Sequence, residues 1–162
     1  MRKIAGLILL LTLITLIVAA SGTGLMRSSS ATAKRLVGTW RLVSVTRNGK
    51  TDPIRGPHPT GVIYYDSTGH MAAQIMPDRV RPKYAGPEPT PDEAKAAITG
   101  YIAYFGAYTV DESARTVTHH CTGNLNPGAP VEFVRRYEFT SDDRLILRPV
   151  ENQAELTWER VK

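Results

Sequence analysis

The chain has 162 residues, of which 42% are hydrophobic and 22% charged, with a formal net charge of +5 and a single cysteine, Cys121. Two of those charges belong to Arg2 and Lys3; the rest of the chain carries +3, with Lys and Arg scattered rather than clustered, which excludes a nucleic-acid footprint. A lone cysteine also excludes an intramolecular disulfide, so the fold must hold by packing alone.

Arg2 and Lys3 precede an apolar run, Ile4 to Val18, followed by the small residues Ala19, Ala20, Ser21 and Gly22. This is the layout of an export signal, with cleavage expected after Ala20 and a periplasmic or secreted destination. Ala31-Thr32-Ala33 offers a second, more distant cleavage pattern. The alternative is an uncleaved N-terminal anchor, although the run is short for a membrane span. After cleavage no membrane association is expected. No cysteine directly follows the run, which excludes lipid anchoring there. Residues 1–20 are therefore read as signal, 21–35 as a flexible tether rich in Ser and Thr, and 36–162 as one domain.

From Leu36 the pattern changes. Trp40 and Leu42 alternate with Thr39, Arg41 and Val43, the period of a strand with one face inward. Asn48-Gly49-Lys50 reads as a turn, and the Pro- and Gly-rich stretch Asp52 to Gly61 as a loop. Val62 to Tyr65 and His70 to Met76 read as a hairpin about Asp66-Ser67-Thr68-Gly69, with Met71, Ala73 and Ile75 on the apolar side of the second strand. Five prolines, Pro77 to Pro91, exclude a sheet interior. Thr90-Pro91-Asp92-Glu93 is a helix start, with Thr90 as N-cap and Glu93 closing a capping box. Apolar residues recur at helical spacing from Ala94 to Phe105, predicting a helix from Thr90 to about Ala103 whose apolar face covers an open end or the wall. Strands are then expected at 107–110, 115–121, 131–139, around Leu145 and Leu147, and at 154–160, joined by turns at Asp111-Glu112-Ser113-Ala114, Ser141-Asp142-Asp143 and Glu151-Asn152. The sum is an all-β chain: a closed or nearly closed antiparallel meander barrel of about eight strands with one short helical insert. Such a barrel has room for packed side chains or for one small ligand.

The ordered set Gly38-Thr39-Trp40, Tyr101 to Tyr108, Val117-Thr118-His119, Arg135-Arg136-Tyr137, Asp143 to Leu147 and Leu156 to Arg160 resembles the bacterial and fungal lipocalin-like domain family. Gly38-Thr39-Trp40 is similar to the lipocalin G-x-W signature, and Arg160 to the arginine that packs across its tryptophan. The resemblance implies small-molecule binding and supplies no catalytic residues to transfer. It gives Gly38, Trp40 and Arg160 a structural role: an indole closing one barrel end under a stacked guanidinium.

The candidate pocket comes from strand phase. Tyr108 shares a face with Val110, His119 with Val117 and Arg135 with Phe133, and each apolar neighbour should face the core. Arg135, His119 and Tyr108 are therefore placed inward, with Tyr64 opposite. Arg135 needs a partner, either an acidic side chain or a ligand carboxylate, and few acids are expected inside. His119 is an acid/base, a ligand-orienting donor or a haem axial ligand, or else an ordinary buried histidine bonded to a tyrosine or carbonyl. His119 and His120 are adjacent on a strand and point to opposite faces, so they cannot share a metal. Tyr101 and Tyr104, with Tyr64 and Tyr108, supply amphipathic surface suited to a pocket, while each of the first two read singly is a packing residue. Cys121 with His119 lacks an orienting third group for nucleophilic catalysis, and Asp142-Asp143 is a hydrated turn. No glycine-rich phosphate loop, zinc motif or serine elbow is present, and neither cofactor nor metal is expected. The expected partner is a small, mostly apolar molecule carrying a carbonyl or carboxylate, bound by a monomer. The competing readings are a cofactor-free isomerase, cyclase or hydrolase using His119 with a tyrosine, and a structural barrel with a filled interior.

Overall fold

A computed structural model describes residues 31–162; the expected export signal, its cleavage site after Ala20 and most of the expected tether lie outside the described residues. Within them the chain runs α1 (Ala31–Leu36), β1 (Gly38–Arg47), β2 (Lys50–Thr51), β3 (Thr60–Tyr65), β4 (His70–Met76), α2 (Pro91–Ile98), β5 (Ile102–Asp111), β6 (Thr116–Asn124), β7 (Glu132–Ser141), β8 (Arg144–Pro149) and β9 (Ala154–Arg160). Apart from the short β2, each strand pairs antiparallel with the next in sequence, and β1 also pairs with β9, from Trp40 opposite Arg160 to Arg47 opposite Ala154. That pairing closes an eight-stranded barrel, with β2 as a two-residue extension beyond Asn48-Gly49, where both residues have positive φ. Closure removes the exposed edges a meander would otherwise carry.

Alternation decides what faces inward. On β4, Met71, Ala73 and Ile75 are buried while Gln74 is exposed. On β8, Leu145 and Leu147 are buried, and on β1, Trp40 and Leu42. The core joins these to Leu36, Ile63, Tyr65, Val117 and Trp158.

One end of the barrel carries α1 and the tight turns at 66–69, 112–115 and 142–143. Trp40 is fully buried there, its Nε1–H donating to Leu36 O at 2.8 Å. The Arg160 guanidinium lies 4.1 Å from the Trp40 ring centroid and donates to Val37 O at 2.9 Å and Arg35 O at 2.6 Å. Gly38 has φ +127°, and a Cβ there would meet Arg160 Nη1 at 2.9 Å, so glycine answers both the backbone and the space. Ala31 to Arg35, read from sequence as tether, are helical here, and the Thr32 amide donates to Glu112 Oε1 at 2.9 Å. Ser and Thr composition alone does not register such partners from distant turns.

The helical insert is shorter than its apolar spacing suggested. Its start carries the full capping box: Thr90 Oγ1 accepts from the Glu93 amide, and the Thr90 amide donates to Glu93 Oε2. It ends at Ile98, because Gly100 takes φ +75° and turns the chain into β5. Ile102 and Phe105, which matched the helical spacing, are strand residues. None of the residues of α2 is buried. It is held from its C-terminal side: Arg79 donates to the carbonyls of Ala96 and Thr99, and Arg81 to that of Ala97.

Trp40→Ala should cost roughly 3–5 kcal/mol, through the cavity left beneath Arg160 and the lost indole bond. A denaturant titration showing a loss below about 1 kcal/mol would contradict this placement.

Candidate functional site

The end opposite α1 carries the longer connections: the loop 52–59, α2 with 99–101, the loop 125–131 and the turn 150–153. Between them the barrel opens into a cavity of about 850 Å³. Its wall is mostly apolar, with Val45, Ile63, Ile75, Leu147, Leu156 and Trp158. The Trp158 indole N–H is buried and meets no acceptor among the described residues. At the mouth Asp52 is fully buried yet well supplied: Oδ1 accepts from the Ile54 and Arg55 amides at 2.9 Å each, and Oδ2 from Arg47 Nε at 3.2 Å. Burial alone would raise its pKa, but these donors outweigh it and hold the carboxyl below its ordinary value. Asp52 is thus an anchor for the mouth loop.

One corner of the cavity is polar, built from β5, β6 and β7. Tyr104, His119 and Arg135 all line it. His119 is 1% exposed and bonded at both ring nitrogens: Nε2 to Tyr65 Oη at 2.7 Å and Nδ1 to Tyr104 Oη at 2.9 Å. The Arg135 charge acts on Tyr104, pulling its pKa down against the effect of burial. Arg135 Nη1 donates to Val134 O at 3.0 Å and Glu151 Oε1 at 2.9 Å, and its Cζ lies 5.0 Å from the Phe133 ring centroid. A hydrogen-bonded chain therefore runs from Tyr104 through His119 to Tyr65, beside the Arg135–Glu151 pair.

The direction of that chain follows from who can be satisfied. Tyr65 is completely buried, and its hydroxyl meets one polar partner among the described residues, His119 Nε2. If Nε2 carried the proton, the Tyr65 hydrogen would be buried without an acceptor, at a cost of about 1–3 kcal/mol. Tyr65 therefore donates to Nε2, and His119 carries its proton on Nδ1, which donates to Tyr104 Oη. Protonation states agree with a neutral chain. Burial, with the Arg135 charge adding to it, pushes the His119 pKa down to about 3. Burial pushes Tyr104 up to about 12, against the opposing pull of Arg135, and raises Tyr65 well above the usual phenol.

The four residues expected in the pocket divide. Arg135 and His119 line the cavity. Tyr108 faces inward and is 8% exposed, but it sits toward the closed end, edge-on to Tyr65 at 4.9 Å, and spends its hydroxyl on Asp66 O at 2.8 Å. It does not line the cavity. Tyr64 was wrongly placed inward: it is 45% exposed on the outer face, and Tyr65 takes the inward position. The reason is register. Inward-facing Trp40 pairs with Ile63, which fixes Ile63 and Tyr65 as the inner pair. Sequence reading weighed Tyr104 as pocket surface but ranked it as packing, and it missed Glu151 as the acid facing Arg135; Glu151 comes from the turn between β8 and β9. His120 lies on the opposite face from His119, with Nδ1 on Glu132 Oε1 and Nε2 on Thr109 Oγ1, both at 2.9 Å.

A profile for the lipocalin-like domain matches residues 37–161. The chain belongs to the lipocalin-like domain family, a class in which a barrel of this kind serves as a ligand-binding scaffold. No curated protein matches it. Among solved structures it is similar to a redesigned β-barrel, at 12% identity and a TM-score of 0.43, covering 80% of this chain and 95% of that one. It is also similar to a DUF4847-family protein from Bacteroides vulgatus, at 16% identity and a TM-score of 0.42, covering 78% of this chain and 94% of that one.

The lowered His119 pKa makes stability depend on pH with a definite sign. The unfolded imidazole binds a proton below its ordinary value of 6.5, while the folded one refuses it down to about 3. The stabilisation is complete above pH 6.5 and lost progressively as pH falls toward 3. Denaturant titrations from pH 7 to about 5.5, above the range where most ordinary carboxylates protonate, should show stability falling. In His119→Gln that decline should largely disappear, although the variant starts less stable at pH 7. Parallel slopes in the two proteins would contradict a neutral buried His119.

Proposed function

We propose that this barrel binds a small, mostly apolar molecule whose carbonyl or carboxylate oxygen lies against Arg135. The reading is carried by the cavity at the open end, about 850 Å³ with a mostly apolar wall and a polar corner at Tyr104, His119 and Arg135, apart from charged groups such as Arg47, Asp52, Arg55 and Lys95 that also line it. A volume of that order suits one small ligand, and a few polar groups in an apolar wall orient it. Arg135 keeps its Nε and Nη2 protons for partners other than Glu151 and Val134, which occupy Nη1.

The enzyme reading rests on the His119–Tyr104 contact. Efficient general acid–base catalysis calls for groups titrating near the working pH. With His119 held at about 3 and Tyr104 at about 12, the pair supports orientation of a ligand better than proton transfer.

The reading includes export, supported by the basic start, apolar run and small residues of positions 2–22. A cut after Ala20 leaves α1 whole. A cut after Ala33 would sever it and remove Thr32 from its contact with Glu112. N-terminal sequencing of the native protein should therefore begin between residues 21 and 23; Met1 would return the anchor alternative.

Native mass spectrometry of freshly purified protein should reveal a co-purifying molecule. Arg135→Leu should keep the fold and weaken binding of an acidic ligand by about 2–5 kcal/mol, much of it the ligand's unpaired charge. Equal affinity in calorimetric titrations of parent and variant would show that Arg135 is not the anchor.

A further inference from the structure

The direction of the hydrogen-bond chain has a consequence inside the cavity. Tyr104 Oη has two lone pairs and one hydrogen. One lone pair accepts from His119 Nδ1, so the hydroxyl's own hydrogen is not spent on the imidazole. The hydroxyl hydrogen is then left over, on a residue that lines the cavity. Beside it, the Arg135 guanidinium offers only donors, and the carboxylate that touches it, half-exposed Glu151, is engaged on Nη1. The corner thus presents converging donors to whatever enters.

We propose that Tyr104 is the specificity-determining residue of the cavity: with Arg135 it receives an oxygen that only accepts hydrogen bonds, a carboxylate or a ketone, and Tyr65 fixes that preference from outside the cavity by directing the Tyr104 hydroxyl through His119. This rests on the cavity-binding reading above and adds to it a selecting residue and a positioning residue. Tyr65 is fully buried and forms no part of the cavity lining, so it cannot touch a ligand there. Its effect is one of direction. Without the Tyr65 hydroxyl, nothing holds the proton on Nδ1; His119 can present Nδ1 as an acceptor, and Tyr104 can turn its hydrogen onto the imidazole and away from the ligand. An ammonium group is rejected on two counts: it brings donors to donors, and a positive charge to a guanidinium.

The test uses four naphthalenes substituted at the same ring position: naphthoate, acetylnaphthalene, ethylnaphthalene and naphthylmethylammonium. Affinities are measured by fluorescence titration for the parent, Tyr104→Phe and Tyr65→Phe, with circular dichroism as the check on folding. In the parent, naphthoate and acetylnaphthalene should bind roughly 3- to 10-fold more tightly than ethylnaphthalene, the range for one good hydrogen bond, and the ammonium probe most weakly. Both variants should lower the ratio of acetylnaphthalene to ethylnaphthalene affinity by about 3-fold or more, leaving only what Arg135 supplies. Ethylnaphthalene binding with no preference for the oxygen probes would overturn the inference and leave the cavity-binding reading standing. Failure of all four probes would overturn both. A ratio lost in Tyr104→Phe but kept in Tyr65→Phe would overturn the relay. A long-range nitrogen–proton NMR spectrum of the parent gives a readout independent of either variant's folding: His119 should carry its proton on Nδ1, and an Nε2–H tautomer would overturn the proposal.

Discussion

The pairing of β1 with β9 is the constraint from which the rest of the structure follows. It turns a meander into a closed barrel, and it brings Arg160 directly opposite Trp40. The guanidinium can then lie on the indole and reach the carbonyls of Arg35 and Val37, while the indole N–H takes Leu36 O. Five groups from the two ends of the domain are tied in one place. Their cost is one glycine, Gly38, in a conformation other residues rarely adopt. That end is filled, and the cavity opens toward the other, where the connections are long and no residue of α2 is fully buried.

Polarity inside such a barrel is expensive unless every group is matched. Here the matching is nearly complete. Asp52 has four donors within reach, and Arg135 has Glu151 and Val134 O. His119 has a tyrosine on each nitrogen. The chain is neutral from Tyr104 inward and charge begins at the Arg135–Glu151 pair beside it, so the desolvation penalty grows gradually with depth. A partly satisfied network in a low-dielectric interior acts strongly on whatever completes it, which is why the ordinary reading of His119 as a tyrosine-bonded core histidine and the reading of this corner as a recognition element are compatible.

Much of the barrel was legible in the chain, because strand phase is local. Met71, Ala73 and Ile75 declare their face without knowledge of any neighbour, and so do Val117 with His119 and Phe133 with Arg135. The capping box at Thr90 and Glu93 and the turns at Asn48-Gly49 and Asp66 to Gly69 are local in the same way. What failed was whatever depended on partners far away in sequence. Val62-Ile63-Tyr64-Tyr65 can be read in either phase, and only pairing with Trp40 decides for Tyr65. The helical spacing from Ala94 to Phe105 continued past Gly100 by coincidence, and the positive φ of that glycine ended it. Glu151 looked like a turn residue because its meeting with Arg135 depends on how β7 and β8 align. Tyr104 looked like packing because its importance comes from a hydrogen left over after its neighbours are satisfied.

What occupies the corner of the cavity decides between a recognition element and a filled barrel. A crystal structure of the protein soaked with naphthoate tests it in one measurement. The account predicts electron density in the cavity at the open end, with the ring against the apolar wall near Ile75 and Leu147 and a carboxylate oxygen within hydrogen-bond distance of both Tyr104 Oη and Arg135. A carboxylate pointing out of the mouth toward solvent, or a cavity filled by its own collapsed side chains with the naphthoate elsewhere, would contradict it.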